Sequence, residues 1–310
     1  MQTILLIGGS GFIGANLIEF FSKEDYRIIN FSRSPGKIKN ENVIDILGDC
    51  KDTDILNDIF SNYHIDLVLH TLTSFSAMDV FESCQNLTAT NLASFIDLTL
   101  IMHKYKVNKI IYVSSGGSIY GTSDSAIKED HQLAPVSFYG WMKEASESYL
   151  AYASRIHPEF KYLILRPANV YGKYQKLDKI IGVTLKNAQR GIPMNIYGDV
   201  NTKKDYIHID DFCEIVYGLV SKNSWNEVYN IASGVGTSTK EILEYAQEIT
   251  GKKISISIKN PKMGDVSFNV LNVDKIKRAL EKHSYISVRE GMQDMYKYVL
   301  KVLENESNLL

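Results

Sequence analysis

The period of the hydrophobic positions changes along the chain. Short aliphatic runs at residues 3–7, 27–31, 46–48, 66–70, 109–114 and 161–166 alternate with stretches at 11–23, 54–60, 80–104 and 138–157 that carry a helical pattern. Runs that are apolar throughout predict strands buried on both faces of a sheet, and the stretches between them predict helices that cover those faces. Strand and helix in turn make βαβ units. The pattern therefore predicts an α/β fold with a doubly wound parallel sheet and a ligand crevice at the carboxyl ends of its strands.

After Arg166 the pattern breaks up, with Pro167, Asn169, Gly172, Gly191, Pro193 and Gly198 as punctuation. We expect a dinucleotide-binding domain over residues 1–170 and a smaller, interleaved domain over 171–310 that mainly binds substrate. The aliphatic stretch 227–231 is expected to return to the first sheet as a further strand. No internal repeat is visible, and residues 304–310 read as a frayed tail.

Composition adds mainly exclusions. The 310 residues are 45% hydrophobic, enough for a sizeable core. A net charge of −2 gives no global field to recruit nucleic acid or an anionic membrane. Cys50, Cys84 and Cys213 are too few and too far apart for a disulfide framework or a metal site, so a reducing cytoplasm is the simplest home. The first apolar run stops at Gly8 and reads as a strand rather than a signal peptide. No run approaches the about eighteen apolar residues of a membrane-spanning helix.

The first chemistry appears at Gly8-Gly9-Ser10-Gly11-Phe12-Ile13-Gly14. Three glycines at this spacing arise by chance in roughly one chain in ten of this length, so context decides their meaning. Here they leave a strand and open a helix, as a dinucleotide site requires. Gly8 permits the tight turn, Gly11 lets a pyrophosphate approach the backbone, and Gly14 lets helix and strand pack closely. The amides around Phe12 and Ile13 then face the phosphates with the helix dipole behind them. An acid after the second strand would bind the ribose 2′-hydroxyl of NAD, but Ser32 and Arg33 stand there. A guanidinium matches a 2′-phosphate and tilts the reading towards NADP; a solvated Arg33 with Ser32 on an ordinary ribose is the competing account. Asp49 and Cys50 follow the third strand, where an adenine edge is met or where a plain turn aspartate sits.

Tyr139 and Lys143 lie four residues apart on a predicted helix and so share a face. Tyr105 and Lys109 have the same spacing, but they straddle a helix end and a strand start and should not converge. Transfer of hydride between alcohol and carbonyl needs a base for the hydroxyl proton. A tyrosine of ordinary pKa about 10 must drop by roughly three units, about 4 kcal/mol, to serve. A neighbouring ammonium and an oxidised nicotinamide supply that stabilisation electrostatically.

With these motifs in place, the chain resembles the extended short-chain dehydrogenase/reductase family, and within it the nucleotide-sugar epimerases and dehydratases. Val68-Leu69-His70, Asn91, Val113-Ser114-Ser115-Gly116-Gly117-Ser118-Ile119-Tyr120-Gly121, Arg166-Pro167-Ala168-Asn169-Val170-Tyr171-Gly172, Ile196-Tyr197-Gly198-Asp199 and Lys204-Asp205-Tyr206-Ile207-His208-Ile209-Asp210-Asp211 extend the match along nearly the whole chain. The resemblance implies that Asn91, Ser114, Thr71 and Leu72 line an NAD or NADP cofactor. It places Pro167 and Ala168 by the nicotinamide, and Asn169, Lys204 and Lys262 on a nucleoside-diphosphate sugar. It also implies a homodimer paired through the helices near 80–104 and 138–157.

Departures from the family narrow the chemistry. The family's usual Ser or Thr, which bonds the sugar hydroxyl at the reacting carbon, falls on Gly116, leaving Ser115 or Ser118 to substitute. Gly117-Ser118 lacks the Asp-Glu pair of 4,6-dehydratases and the Cys of the epimerising reductases, so both reactions are disfavoured. Lys204 and Lys262 replace arginines and lose the bidentate fork on a phosphate while keeping its charge. Thr71-Leu72 replaces small residues and crowds the cofactor's approach.

The reading is an oxidoreductase that acts at C4 of a nucleoside-diphosphate sugar through a 4-keto species, foremost as a 4-epimerase. An NAD(P)-dependent 4-dehydrogenase or 4-ketoreductase is the alternative, and a non-catalytic dinucleotide sensor a third. His208 reads as a structural strand-end histidine, no metal site is expected, and Trp141 and Trp225 read as packing.

Overall fold

The structure, a computed structural model, describes residues 1–73, 84–260 and 268–307. The amino-terminal half runs β1 (Gln2–Ile7), α1 (Phe12–Phe21), β2 (Tyr26–Ser32), β3 (Val43–Leu47), α2 (Thr53–Asn62), β4 (Leu67–His70), α3 (Cys84–Thr88), a π-helical turn (Ala89–Ala93), α4 (Ser94–Lys104), β5 (Lys109–Val113), α5 (Gly116–Ile119), α6 (Phe138–Ile156) and β6 (Lys161–Pro167). Then follow β7 (Asn169–Tyr171), α7 (Ile180–Arg190), β8 (Met194–Tyr197), β9 (Lys203–His208), α8 (Ile209–Ser221), β10 (Glu227–Ile231), β11 (Gly236–Ser238), α9 (Thr239–Thr250), β12 (Ile256–Lys259), β13 (Phe268–Asn269), α10 (Asp274–Leu280) and α11 (Val288–Ser307).

Seven strands form one sheet in the order β10-β6-β5-β4-β1-β2-β3, with β10 at its edge as the stretch 227–231 leads one to expect. Every register from β3 across to β6 is parallel. Strands β1 and β4 are buried along nearly their whole lengths because helices cover both faces, and this is why their sequences are apolar rather than alternating. The order jumps from β1 to β4 across the sheet centre, the topological switch point at which such folds bind ligands. This is the Rossmann-type α/β fold.

The chain divides into two compact units. The first comprises Met1–Gly121, His131–Pro167 and Val216–Tyr229; the second comprises Thr122–Asp130, Ala168–Ile215 and Asn230–Leu310. In the first, Leu5, Ile29, Val68, Phe95, Met102, Ile110 and Leu150 belong to one buried cluster. The second is held by Tyr171, Leu185, Ile242, Met292 and Met295, and by a small sheet in which β9 pairs with β7, β11 and β13.

Two expectations are corrected. Residues 304–307 are not frayed: they complete α11, where Arg190 pairs with Glu306 at 2.6 Å. Trp141 is not a packing residue. It is 46% exposed and stacks on Phe138 at 5.3 Å, because its position on α6 faces away from the sheet. Trp225 is half-buried, with the Lys109 ammonium 5.4 Å from its ring centre. The beginning of the helix expected over 80–104 lies outside the described residues.

Candidate active site

The glycine turn is built as its spacing requires. Gly8 has φ +89°, and a Cβ there would come within 2.9 Å of the Leu72 Cα, so a side chain is excluded by both conformation and space. A Cβ on Gly14 would lie 2.6 Å from the Gly8 carbonyl oxygen and the Gly9 Cα, so close packing of α1 on the turn depends on its absence. No side chain caps α1 at Gly11, and its first turn carries no acid. The first-turn amides of a helix point outward along its dipole, so this end fits a pyrophosphate.

Beside the turn, Ile7, Phe31, Ser32, Arg33, Gly48, Asp49, Cys50, Leu72 and Thr90 line one hollow. It unites five residues expected at the cofactor with Ile7, Phe31, Gly48 and Thr90. Thr90 lies in the π-helical turn next to Asn91, a wound segment with no sequence signature. The Cys50 thiol donates to the Thr90 carbonyl oxygen at 3.4 Å, and burial pushes its pKa up, so it is a packing thiol rather than a reactive one. Asp49 accepts the Lys51 amide at 3.0 Å, as a turn aspartate does.

The region expected to read the ribose is more committed than its sequence implied. The Ser32 hydroxyl donates to Asn30 at 2.9 Å and accepts the Ser10 amide at 3.1 Å, so its single proton is already used within the protein. Asn30 in turn donates to Asp45 at 2.7 Å. A cation the sequence reading missed, Lys37, donates to the Ser10 carbonyl oxygen at 2.8 Å, which places an ammonium at the glycine turn. The Thr71 hydroxyl donates to the carbonyl oxygens of Ile7 at 3.0 Å and Gly8 at 3.3 Å.

Helix α6 starts with Ser137 accepting the Gly140 amide at 3.1 Å, and this cap sets the register that puts Tyr139 and Lys143 on one face. The Lys143 ammonium is 5.8 Å from the Tyr139 ring centre and 4.7 Å from that of Tyr112, and it donates to the Val113 carbonyl oxygen at 2.8 Å. Burial pulls its pKa down to about 7, opposed by the Glu147 carboxylate one turn on. Burial likewise pushes the Tyr139 phenol up, opposed by hydrogen bonds with Ser115 and Thr73. In the protein alone the phenol is thus raised, not lowered as base catalysis requires, because desolvation outweighs those bonds. The alternative pair behaves as expected: Tyr105 stacks on Phe60 while Lys109 turns to Trp225.

Of the two serines flanking Gly116, Ser115 reaches Tyr139, whereas Ser118 sits on α5 with its carbonyl oxygen against Gly140. At the end of β5, the Ser114 hydroxyl is buried with no hydrogen-bond partner among the described residues. An orphaned hydroxyl on the residue after Val113, whose carbonyl oxygen takes Lys143, fits a site whose partner is a ligand. The turn, the hollow and this hydroxyl together fit a dinucleotide. Pro167 ends β6, and Ala168 is buried with its amide on the Ile231 carbonyl oxygen at 2.9 Å.

In the second unit, Asn169 donates to the Asp205 carbonyl oxygen at 2.8 Å, and Lys204 lies on β9 opposite Thr237. Asp205 is fully buried and accepts from the amides of Ser233 and Gly234, both at 3.0 Å, fixing the loop after β10. His208 ends β9 at 2% exposure, its ring nitrogens 3.6 Å from the Asp210 carboxylate and 3.9 Å from that of Asp294. Lys262 lies outside the described residues.

The chain is similar to known proteins. A profile of the NAD dependent epimerase/dehydratase family matches residues 4–232. A dTDP-4-dehydro-6-deoxyglucose reductase of Escherichia coli is 26% identical over 96% of this chain and 97% of its own. The crystal structure of a UDP-glucose 4-epimerase with UDP-glucose from Thermotoga maritima superposes with a TM-score of 0.91 at 30% identity, covering 97% of this chain and 100% of that one. MoeE5 in complex with UDP-glucuronic acid and NAD gives a TM-score of 0.88 at 25% identity, again over 97% and 100% of the two chains. With its glycine turn, its Tyr139–Lys143 pair and a match spanning most of its length, the chain belongs to the NAD dependent epimerase/dehydratase family.

Proposed function

We propose that this protein is a nucleoside-diphosphate-sugar 4-epimerase working through a 4-keto species. The observation that carries the reading is the Tyr139–Lys143 pair on one face of α6, with no acid/base group at Gly117 or Ser118 for dehydration. Tyr139 takes the proton of the C4 hydroxyl and returns it after reduction on the other face of the sugar. Lys143, fixed by the Val113 carbonyl oxygen, supplies the positive charge that favours the phenolate. A bound nicotinamide supplies the hydride acceptor and donor. The glycine turn of the first unit holds the dinucleotide, and Asn169 and Lys204 are the described candidates for the sugar nucleotide. UDP-glucose, present in the Thermotoga structure, is the first substrate to try.

Ser32, Arg33 and Lys37 favour a second reading, a 4-ketoreductase or 4-dehydrogenase that exchanges its cofactor. No carboxylate follows β2, and two cations there suit the 2′-phosphate of NADP. An epimerase returns its hydride and leaves the near-ultraviolet absorbance of added dinucleotide unchanged while product forms; a net reductase or dehydrogenase changes it mole for mole. Dinucleotide binding without turnover across a panel of sugar nucleotides favours the sensor instead.

Two further attributes belong to the proposal. Leu100 on α4 and Tyr152 and Ile156 on α6 are each more than half exposed, which suits a homodimer paired through these helices. Cys50, Cys84 and Cys213 are free thiols, which suits a reducing cytoplasm, and no described helix is long and apolar enough to cross a membrane.

A further inference from the structure

We propose that His103, His157 and Glu159 form a binding site for a divalent late transition metal, Zn2+ foremost, that clips together the carboxyl ends of α4 and α6. The site lies within the first unit and is independent of the catalytic reading. Positions 103 and 157 are fifty-four apart, so ligand spacing along the chain gives no sign of it. The fold removes that separation. Leu98 and Met102 of α4 share a buried cluster with Leu150 of α6, and the hydroxyls of Thr99 and Tyr149 meet at 2.6 Å between the two helices. His103 lies four residues on from Thr99, and His157 two such steps on from Tyr149 through Ala153, so each histidine extends the side its helix presents to the other. The His157 amide still donates to the Ala153 carbonyl oxygen at 2.9 Å, which keeps the residue on the helical path. The two imidazole ring centres are consequently 4.2 Å apart.

Beyond them the chain turns back at once. The Phe160 amide donates to the His157 carbonyl oxygen at 2.9 Å, and Phe160 is anchored in the same buried cluster. That turn brings the Glu159 carboxylate to 3.9 Å from the His157 Nδ1. One donor atom from each of the three side chains lies within 4.8 Å of the other two. Two imidazole nitrogens and one carboxylate oxygen suit Zn2+ or a neighbouring late metal, whereas Mg2+ and Ca2+ select oxygen alone. A tetrahedral zinc with bonds of about 2.0–2.2 Å holds its ligands roughly 3.4 Å apart, and these exposed or half-buried side chains close the remaining gap by rotation. Both helices end here, and the carbonyl dipoles at a helix carboxyl end favour a cation. The neighbouring lysines have other partners: Lys104 donates to Asn57 at 2.7 Å and Lys161 to the Pro158 carbonyl oxygen at 2.9 Å.

The probe is Zn2+ itself, titrated into tag-free full-length protein against a chromophoric zinc indicator under reducing conditions. The wild type should bind one equivalent saturably. His103→Ala and His157→Ala should each weaken binding about tenfold or more, because each removes one of three ligands. His64→Ala, which removes another exposed imidazole, should leave binding unchanged. Far-ultraviolet spectra check that these surface variants are folded. Zn2+ should also raise the thermal midpoint of the wild type but not that of His103→Ala, since the ion joins two helices. Co2+ gives a spectroscopic readout, a visible absorption band of the bound ion that is present in the wild type and lost in His103→Ala. Absence of saturable Zn2+ binding, binding unchanged in both histidine variants, equal loss in His64→Ala, or a midpoint raised equally in wild type and His103→Ala would overturn the proposal.

Discussion

Tyr139 and Lys143 are each pushed by burial towards the neutral form, the phenol upward and the ammonium down to about 7. The folded value of Lys143 lies below its unfolded value of about 10.4, so the unfolded chain holds the proton more tightly. Burial of this group therefore costs stability at acidic pH, and the cost fades as the pH rises from about 7 to about 10. Lys143→Met should abolish turnover and remove this pH dependence, so that urea midpoints of variant and wild type converge across that window. At the ribose end, Arg33→Ala and Lys37→Ala should each raise KM for NADP while leaving KM for NAD nearly unchanged, measured with both dinucleotides on one substrate. Tyr139 and Lys143 were legible in the sequence because helix periodicity alone brings residues four apart together. Lys37 was not, because it reaches the glycine turn through a loop contact that no local period encodes.

Among the elements, the strand–turn–helix of β1 and α1 was the most legible, since each glycine answers a local steric demand. Gly14→Ala places a Cβ 2.6 Å from backbone atoms that cannot yield without moving the turn. It should cost about 1–3 kcal/mol of stability and weaken dinucleotide binding together, as read by thermal unfolding with and without cofactor. In the loop after β4, the Thr71 hydroxyl satisfies backbone carbonyls of the turn, a contact between residues more than sixty positions apart that no local pattern encodes. The π-helical turn at Ala89–Ala93 was invisible for a different reason. Its sequence suits an ordinary helix, and the widened turn puts Thr90 at the hollow, where its carbonyl oxygen takes the Cys50 thiol.

For the molecule as a whole, the alternation of apolar runs gave the parallel sheet and the return of β10, because strands buried on both faces must be apolar throughout. It could not give the buried charges that brace it. Arg166 grips Glu147 at 2.6 Å and 3.1 Å and donates to the Tyr120 hydroxyl at 2.8 Å, joining β6, α6 and the end of α5, with both charged side chains 6% exposed. Glu147→Ala would take away the carboxylate that faces the buried Arg166 guanidinium, so it should cost about 3–5 kcal/mol in urea unfolding. If the exposed apolar face of α4 and α6 pairs two copies, Leu100→Asp with Ile156→Asp should halve the mass found by sedimentation while the far-ultraviolet spectrum is kept. The central claim, proton and hydride chemistry at C4 through Tyr139, is tested most directly by proton NMR of nucleoside-diphosphate sugars incubated with wild-type protein and with Tyr139→Phe. Inversion at C4 by the wild type and its loss in the variant is the predicted result; products unchanged at C4, or inversion that survives in Tyr139→Phe, would contradict it.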